Sequence, residues 1–193
     1  GDFSTTDIER RVNQVRLLGD VVEHWKRQAS NRQTLVFACS KAHSQSIVER
    51  FKTAGISAAH VDGKTPMAER ASMLTDLASG QLKIASSCEL LAEGIDIPEI
   101  KCVVMARPTA SLVVCYQQAG RCMRPVSSHA ATAMILDHVG NIVRHGYPFA
   151  DREWSLDGVQ ERHLRGPTLQ ACTKCHAVVP GKECPECGNA LTP

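Results

Sequence analysis

Four cysteines near the end of the chain, Cys172, Cys175, Cys184 and Cys187, form two C-x-x-C pairs with eight residues between them. Each pair presents two thiolates at the spacing that tetrahedral Zn²⁺ accepts, and Pro180-Gly181 supplies a turn to bring the pairs together. Gly188 eases the tight backbone around the second pair. Two disulfides or two redox dithiols would use the same residues. A redox C-x-x-C, however, normally opens a helix in a thioredoxin-like unit, and neither pair is placed that way. His176 adjoins a ligand, but four sulfurs already complete a site. The expectation is a structural zinc ribbon, held by metal because residues 172–187 carry too little apolar material for a core.

A second constellation is Gln117-x-x-Gly120-Arg121-x-x-Arg124. Two arginines three apart would share one face of a helix end, behind a glycine that permits close approach. Paired guanidiniums of this kind suit the oxygens of a transferring phosphoryl group. A solvated helix terminus whose basic residues complement the helix dipole would look the same in isolation. The run Leu90-Leu91-Ala92-Glu93-Gly94-Ile95-Asp96-Ile97-Pro98 follows an apolar stretch, where an α/β sheet places its ligand loops. Its Gly94-x-Asp96 turn offers a carboxylate fit to accept from a ribose hydroxyl.

The elements that must position these groups alternate. Ile8 to Ala29 reads as an amphipathic helix, with Val12, Val15, Leu18, Val22 and Trp25 at three- and four-residue steps. Thr34-Leu35-Val36-Phe37-Ala38 is a short apolar strand, followed by a helix from Ala42 to Ala54 that Gly55 closes. Ile56 to Val61 is a second strand, and Thr65-Pro66 opens a helix with an N-cap and an N1 proline that Gly80 ends. Leu82 to Ser86, Cys102 to Ala106 and Ala133 to Leu136 are further strands, and Ser111 to Met123 is helical. Apolar strands buried on both faces, alternating with helices, mean an α/β domain with a parallel sheet. Trp154 and Leu156 could anchor a final segment. The expected division is residues 1–165 for this domain and 166–193 for the ribbon.

Composition narrows the class. The chain has 193 residues, 43% hydrophobic and 22% charged, enough to bury a core. With 22 basic against 20 acidic residues, charge by itself does not point to nucleic acid. No apolar run approaches the roughly 20 residues needed to span a bilayer. The start lacks the basic and apolar regions of a signal peptide. Nine cysteines, an odd number without a secretion signal, point to the reducing cytoplasm.

Together these motifs carry a resemblance. Thr34-Leu35-Val36-Phe37-Ala38 resembles motif IV of the superfamily 2 helicases, Glu93-Gly94-Ile95-Asp96-Ile97-Pro98 resembles motif V, and Gln117-x-x-Gly120-Arg121-x-x-Arg124 resembles motif VI. Their order and spacing are similar to the second RecA-like domain of those motors, across about Ile8 to Trp154. The run from Asp62-Gly63-Lys64-Thr65 to Glu69-Arg70 is similar to the turn and helix after the second strand there. The resemblance is nearest to bacterial and phage DNA-repair helicases of the RadD type. Its signs are Ala106-Arg107-Pro108-Thr109-x-Ser111, Leu136-Asp137-His138-x-Gly140-Asn141, Arg144-His145-Gly146, Trp154-x-Leu156 and the four-cysteine ribbon. His138 and His145 are expected to lock a loop by hydrogen bonds rather than to catalyse. The family usually has a threonine six before the motif V glycine, where this chain has Cys88; Ser86 or Ser87 could take that phosphate contact instead.

The resemblance implies an ATP-dependent helicase. Arg121 and Arg124 would reach the β- and γ-phosphates across a cleft, one of them as arginine finger, with Gln117 beside them. Gly94, Asp96 and Gly120 would bind the nucleotide, and Ser40, Lys41, Gly63, Ser86 and Ser87 the strand. Gly63-Lys64-Thr65 looks like the tail of a Walker A loop, but Ala58 stands where that motif requires glycine. No Asp-Glu-x-His or Asp-Glu-Ala-Asp box occurs to carry Mg²⁺. The chain is therefore expected to be half of an ATPase, paired with an N-terminal RecA-like domain and with single- or double-stranded nucleic acid, DNA in the first place. The rival class is a zinc-ribbon binding module on a RecA-like scaffold without turnover.

Overall fold

The computed structural model describes residues 15–88, 97–124, 132–151, 169–175 and 178–191. The chain divides into two compact units, Gly1–Val139 and Gly140–Pro193. The expected boundary at 165/166, Trp154, Leu156 and His176 lie outside the described residues.

The first unit is built on a five-stranded sheet. In chain order its elements are α1 (Val15–Ala29), β1 (Gln33–Ala38), α2 (Lys41–Thr53), β2 (Ala58–His60), α3 (Met67–Ser79), β3 (Ile84–Ser87), β4 (Ile100–Ala106), α4 (Leu112–Gly120) and β5 (Met134–Asp137). The strand order is β2-β3-β1-β4-β5 and every pairing is parallel. β1 is central, which is why Leu35, Val36, Phe37 and Ala38 form a continuous apolar run: both faces are covered. Each fully buried Phe or Leu side chain contributes about 1.5–3 kcal/mol relative to exposure.

On α1, Val21, Val22, Trp25 and Ala29 are buried. The indole of Trp25 donates to Thr34 Oγ1 at 2.7 Å, and its ring meets Phe51 edge-on at 5.6 Å. A strand threonine thus satisfies the one polar atom of a buried aromatic. On α2, Ile47, Val48 and Phe51 join the same core, and Ser40 caps the helix by accepting from the His43 N–H at 3.1 Å. Gly55 (φ +77°) and Gly80 (φ +79°) take the left-handed conformation that ends α2 and α3, as the sequence predicts.

Two helix ends differ from expectation. Pro66, not Thr65, is the cap residue of α3, and no side chain caps it. The Thr65 hydroxyl instead turns back to accept from the Asp62 N–H at 3.0 Å. At the other site, α4 stops at Gly120 rather than running to Met123. The N–H groups of Arg121, Cys122 and Met123 each bond the carbonyl three residues back, at 3.2, 3.2 and 3.4 Å. Arg124 therefore lies beyond the end of the helix.

The second unit contains the short helix α5 (Asn141–His145) and an antiparallel pair, β6 (Leu169–Ala171) with β7 (Val178–Pro180). The Tyr147 hydroxyl donates to the Val178 carbonyl at 2.7 Å, tying the segment after α5 to β7. Among the described residues, no helix is long and apolar enough to cross a membrane.

Candidate functional site

Because the strands are parallel, their C-terminal ends share one edge of the sheet. The register sets Ser87 beside Phe37, Ser86 beside His60 and Ala106 beside Ala38. The loops that begin at Cys39, Val61, Cys88 and Arg107 therefore emerge together. This gathers four of the five residues expected to meet a strand, Ser40, Lys41, Ser86 and Ser87, and brings Gly63 in on the loop after β2. They are not equivalent. Lys41 and Gly63 are exposed and Ser40 half-buried, whereas Ser86 and Ser87 are fully buried. Cys88 is half-buried, and its carbonyl accepts from Arg107 at 3.3 Å.

Behind that edge runs a polar chain that local spacing did not announce. Ser44 Oγ lies 2.7 Å from both Ser86 Oγ and His60 Nδ1. His60 Nε2 faces Asp62 Oδ2 at 3.4 Å, and the same carboxylate oxygen holds the Lys41 ammonium. Lys41, with the Lys64 N–H beside it, holds the Asp62 carboxyl far below its usual range. Cys39 Sγ and His43 Nδ1 also meet, at 3.1 Å and buried. The only sequence signal was the conjunction of Ser44 and His60 on neighbouring elements, sixteen residues apart, which no short-range pattern reveals.

The phosphate-binding candidates lie elsewhere. Lys101, the second residue of β4, donates to the Arg124 carbonyl at 3.1 Å, which sets Arg124 by the N-terminal end of that strand. The Arg124 backbone thus lies by the end of β4 away from the loop that carries Ser40 and Lys41. Arg121 and Arg124 are half-buried, and Gln117 and Gly120 are exposed. A Cβ placed on Gly120 would meet nothing within 4 Å, so space is open at that residue. Gln118 points inward instead, 2% exposed, and its Oε1 accepts no hydrogen bond. Gly94 and Asp96 lie outside the described residues. His138, beyond β5, donates its N–H to the Met105 carbonyl at 3.0 Å and stacks on His24 at 5.2 Å.

In the second unit, the ligand atoms of Cys172, Cys175, Cys184 and Cys187 all lie within 4.8 Å of one another. Cys172 and Cys187 sulfurs are 3.6 Å apart, and those of Cys175 and Cys184 3.5 Å. A disulfide requires about 2.05 Å. Tetrahedral ligation at about 2.3 Å per bond sets sulfurs about 3.8 Å apart, so the quartet could hold a metal such as zinc. Hydrogen bonds hold the second knuckle: Cys184 N–H to Asn189 O at 2.9 Å and Gly188 N–H to Cys184 O at 2.8 Å. Gly188 (φ +66°) makes that turn. Backbone N–H groups, that of Cys175 first, bring the Cys172 thiol down to about 6, while burial pushes the Cys184 and Cys187 thiols up. The apolar contribution is small: Val179 and Leu191 pack on the cysteines.

Comparison with known proteins bears on the family and the fold. Residues 13–126, more than half of the chain, match the family described as the helicase conserved C-terminal domain. A 51.5 kDa protein of Lactococcus phage (isolate 7-9) is 35% identical over 195 residues, covering 98% of this chain and 42% of the phage protein. IRC3 of Saccharomyces cerevisiae, named as an ATP-dependent helicase, is 35% identical over 101 residues, 52% of this chain and 15% of its own length. The chain thus spans less than half the length of these curated relatives. Among solved structures, S. cerevisiae Dbp5 L327V bound to RNA and ADP BeF3 superposes with a TM-score of 0.54 at 21% identity, over 63% of this chain and 32% of that one. That likeness shows the fold, a RecA-like parallel sheet flanked by helices. The chain belongs to the helicase conserved C-terminal domain family, the second RecA-like domain of superfamily 2 helicases.

Proposed function

We propose that this chain is the second motor domain of an ATP-dependent translocase that moves along a nucleic-acid strand, DNA by its resemblance to the RadD-type repair helicases. A first RecA-like domain would supply the Walker A loop and the acidic box, neither of which occurs in this sequence, and with them the Mg²⁺ ligands and the general base. The observation that carries the reading is the turn after α4, where the exposed Gly120, with open space in place of a side chain, is followed by the half-buried Arg121 and Arg124. When bound, ATP supplies the phosphoryl group whose transfer drives the cycle. Arg121 and Arg124 would neutralise the phosphate oxygens, with Gln117 exposed beside them to orient the partner domain. Gly94 and Asp96 would take the ribose.

At the other end of the sheet, Ser40, Lys41 and Gly63 would touch backbone phosphates. Ser86 and Ser87 are buried beneath them and would act as supports. Charge complementarity of this kind grips a strand without reading its sequence. The cysteine quartet would hold one structural Zn²⁺.

The test is Arg124→Ala in the full-length protein. Loss of an arginine finger removes about 10³–10⁵ in hydrolysis rate, with ATP affinity, read by fluorescent-nucleotide titration, changing far less. Hydrolysis at wild-type speed would transfer the finger role to Arg121.

A further inference from the structure

Three features of the first unit stand outside the roles above: the buried Cys39–His43 pair, the orphaned carbonyl of Gln118, and the chain Lys41–Asp62–His60–Ser44–Ser86. The last carries furthest. Its Ser–His–Asp order is not that of a hydrolase, because Ser44 is fully buried and already shared with Ser86. What it does do is aim one carboxylate oxygen at one cation.

The turn leaves Asp62 little freedom. Its N–H donates to Thr65 Oγ1 at 3.0 Å, and its Oδ1 accepts from the Lys64 N–H at 2.9 Å. Arg70 reaches the carbonyls of Asp62 and Thr65 at 3.3 and 3.5 Å. Only Oδ2 is left to address Lys41. The Lys41 side chain is 50% exposed and that of Asp62 13%, so the anion is built into the wall and the cation lies at its surface. Should Lys41 leave, His60 Nε2 still faces Oδ2 at 3.4 Å, itself anchored through Ser44, and the carboxylate is not stranded.

Resting on the strand contact proposed above for Lys41, we infer that Asp62 is a resident surrogate for a strand phosphate. It occupies Lys41 when the edge is empty and yields it to a backbone phosphate, so that Lys41 responds to a polymer and not to free anions. A fixed carboxylate competes at high effective concentration. A lone phosphate ion must displace it unaided. A strand phosphate is delivered by its neighbours on Ser40 and Gly63 and competes on equal terms. The depressed titration of Asp62 fits a carboxylate with a cation on it.

The experiment measures binding of a fluorescent oligothymidylate to the full-length protein as a function of salt, for wild type, Lys41→Gln, Asp62→Asn and the double variant. Asparagine keeps the Oδ1 acceptor for Lys64, so the turn persists, which an unchanged melting curve verifies. Asp62→Asn should tighten binding about two- to fivefold, the scale of one exposed ion pair. Lys41→Gln should weaken it and flatten the log–log salt slope by about 0.7, one single-strand phosphate. The double variant should match Lys41→Gln alone, because Asp62 acts only through Lys41. Inorganic phosphate should compete at lower concentration in Asp62→Asn than in wild type. If Lys41→Gln weakens binding but Asp62→Asn does not tighten it, the surrogate role is wrong and the strand contact stands. If Asp62→Asn still tightens binding without Lys41, Asp62 acts as a diffuse charge and the inference also fails. If Lys41→Gln changes nothing, the strand contact itself fails, independently of the Arg124 result.

Discussion

At the scale of single residues, the same atom type behaves oppositely in the two units. Cys102 and Cys122 sit at the sheet, 0% and 1% exposed. Burial pushes their thiols up to about 12 and about 11. The Cys122 thiol donates to the carbonyls of Ala119 and Met134 at 3.3 and 3.5 Å, a use that requires its proton. At pH 8 roughly one in ten thousand Cys102 side chains and one in a thousand Cys122 side chains would be thiolate. Both should therefore resist iodoacetamide in the native protein and react only on unfolding, as mass spectrometry of labelled peptides will read. The linkage has a sign. Folding holds these protons, so their contribution is complete below the ordinary value of 9.0 and is lost as pH rises towards 11 and 12.

At the scale of elements, the four-cysteine segment and the sheet are stabilised differently. The sheet rests on a continuous apolar core from Val21 to Ala106. The four-cysteine segment has two three-residue strands, with Val179 and Leu191 as its buried aliphatic side chains among the described residues. A pair of strands that short is marginal without another constraint. A chelator should therefore abolish amide protection in residues 169–191 while leaving the five-stranded sheet protected, as hydrogen exchange will resolve. Elemental analysis should give one zinc per chain, lost on Cys184→Ser. Persistence of the ribbon in reduced, metal-free protein would overturn the site.

At the scale of the molecule, the Arg124 backbone lies by the N-terminal end of β4 and the loop with Ser40 and Lys41 at the C-terminal edge of the sheet, and the sequence contains no Walker A loop or acidic box. Positioning by two guanidiniums cannot substitute for a metal-bound phosphate and an oriented water. The 193-residue chain should show no ATP turnover above background, and adding the N-terminal domain should restore it. Hydrolysis by the purified chain, with contaminants excluded, would contradict the split site.

The sequence by itself determined the layered α/β plan, because strands such as Thr34 to Ala38 must be apolar throughout when both faces are covered. It also determined the cysteine quartet and the Gly55 and Gly80 helix ends, since these depend on residues close in the chain. Helix ends governed by competing local bonds were less legible. The Thr65 hydroxyl had two partners within reach, and the structure gave it to Asp62 rather than to the helix. The arginine pair read as helical, yet α4 ends at Gly120 and leaves Arg124 beyond it. Tertiary structure alone decided that Ser86 is buried while Lys41 is exposed, and that Asp62 reaches Lys41 and His60. Those facts depend on which strands lie side by side. Parallel pairing of β2, β3 and β1 brings residues 41, 62 and 86 to one edge, and no short-range periodicity encodes a contact between positions that far apart.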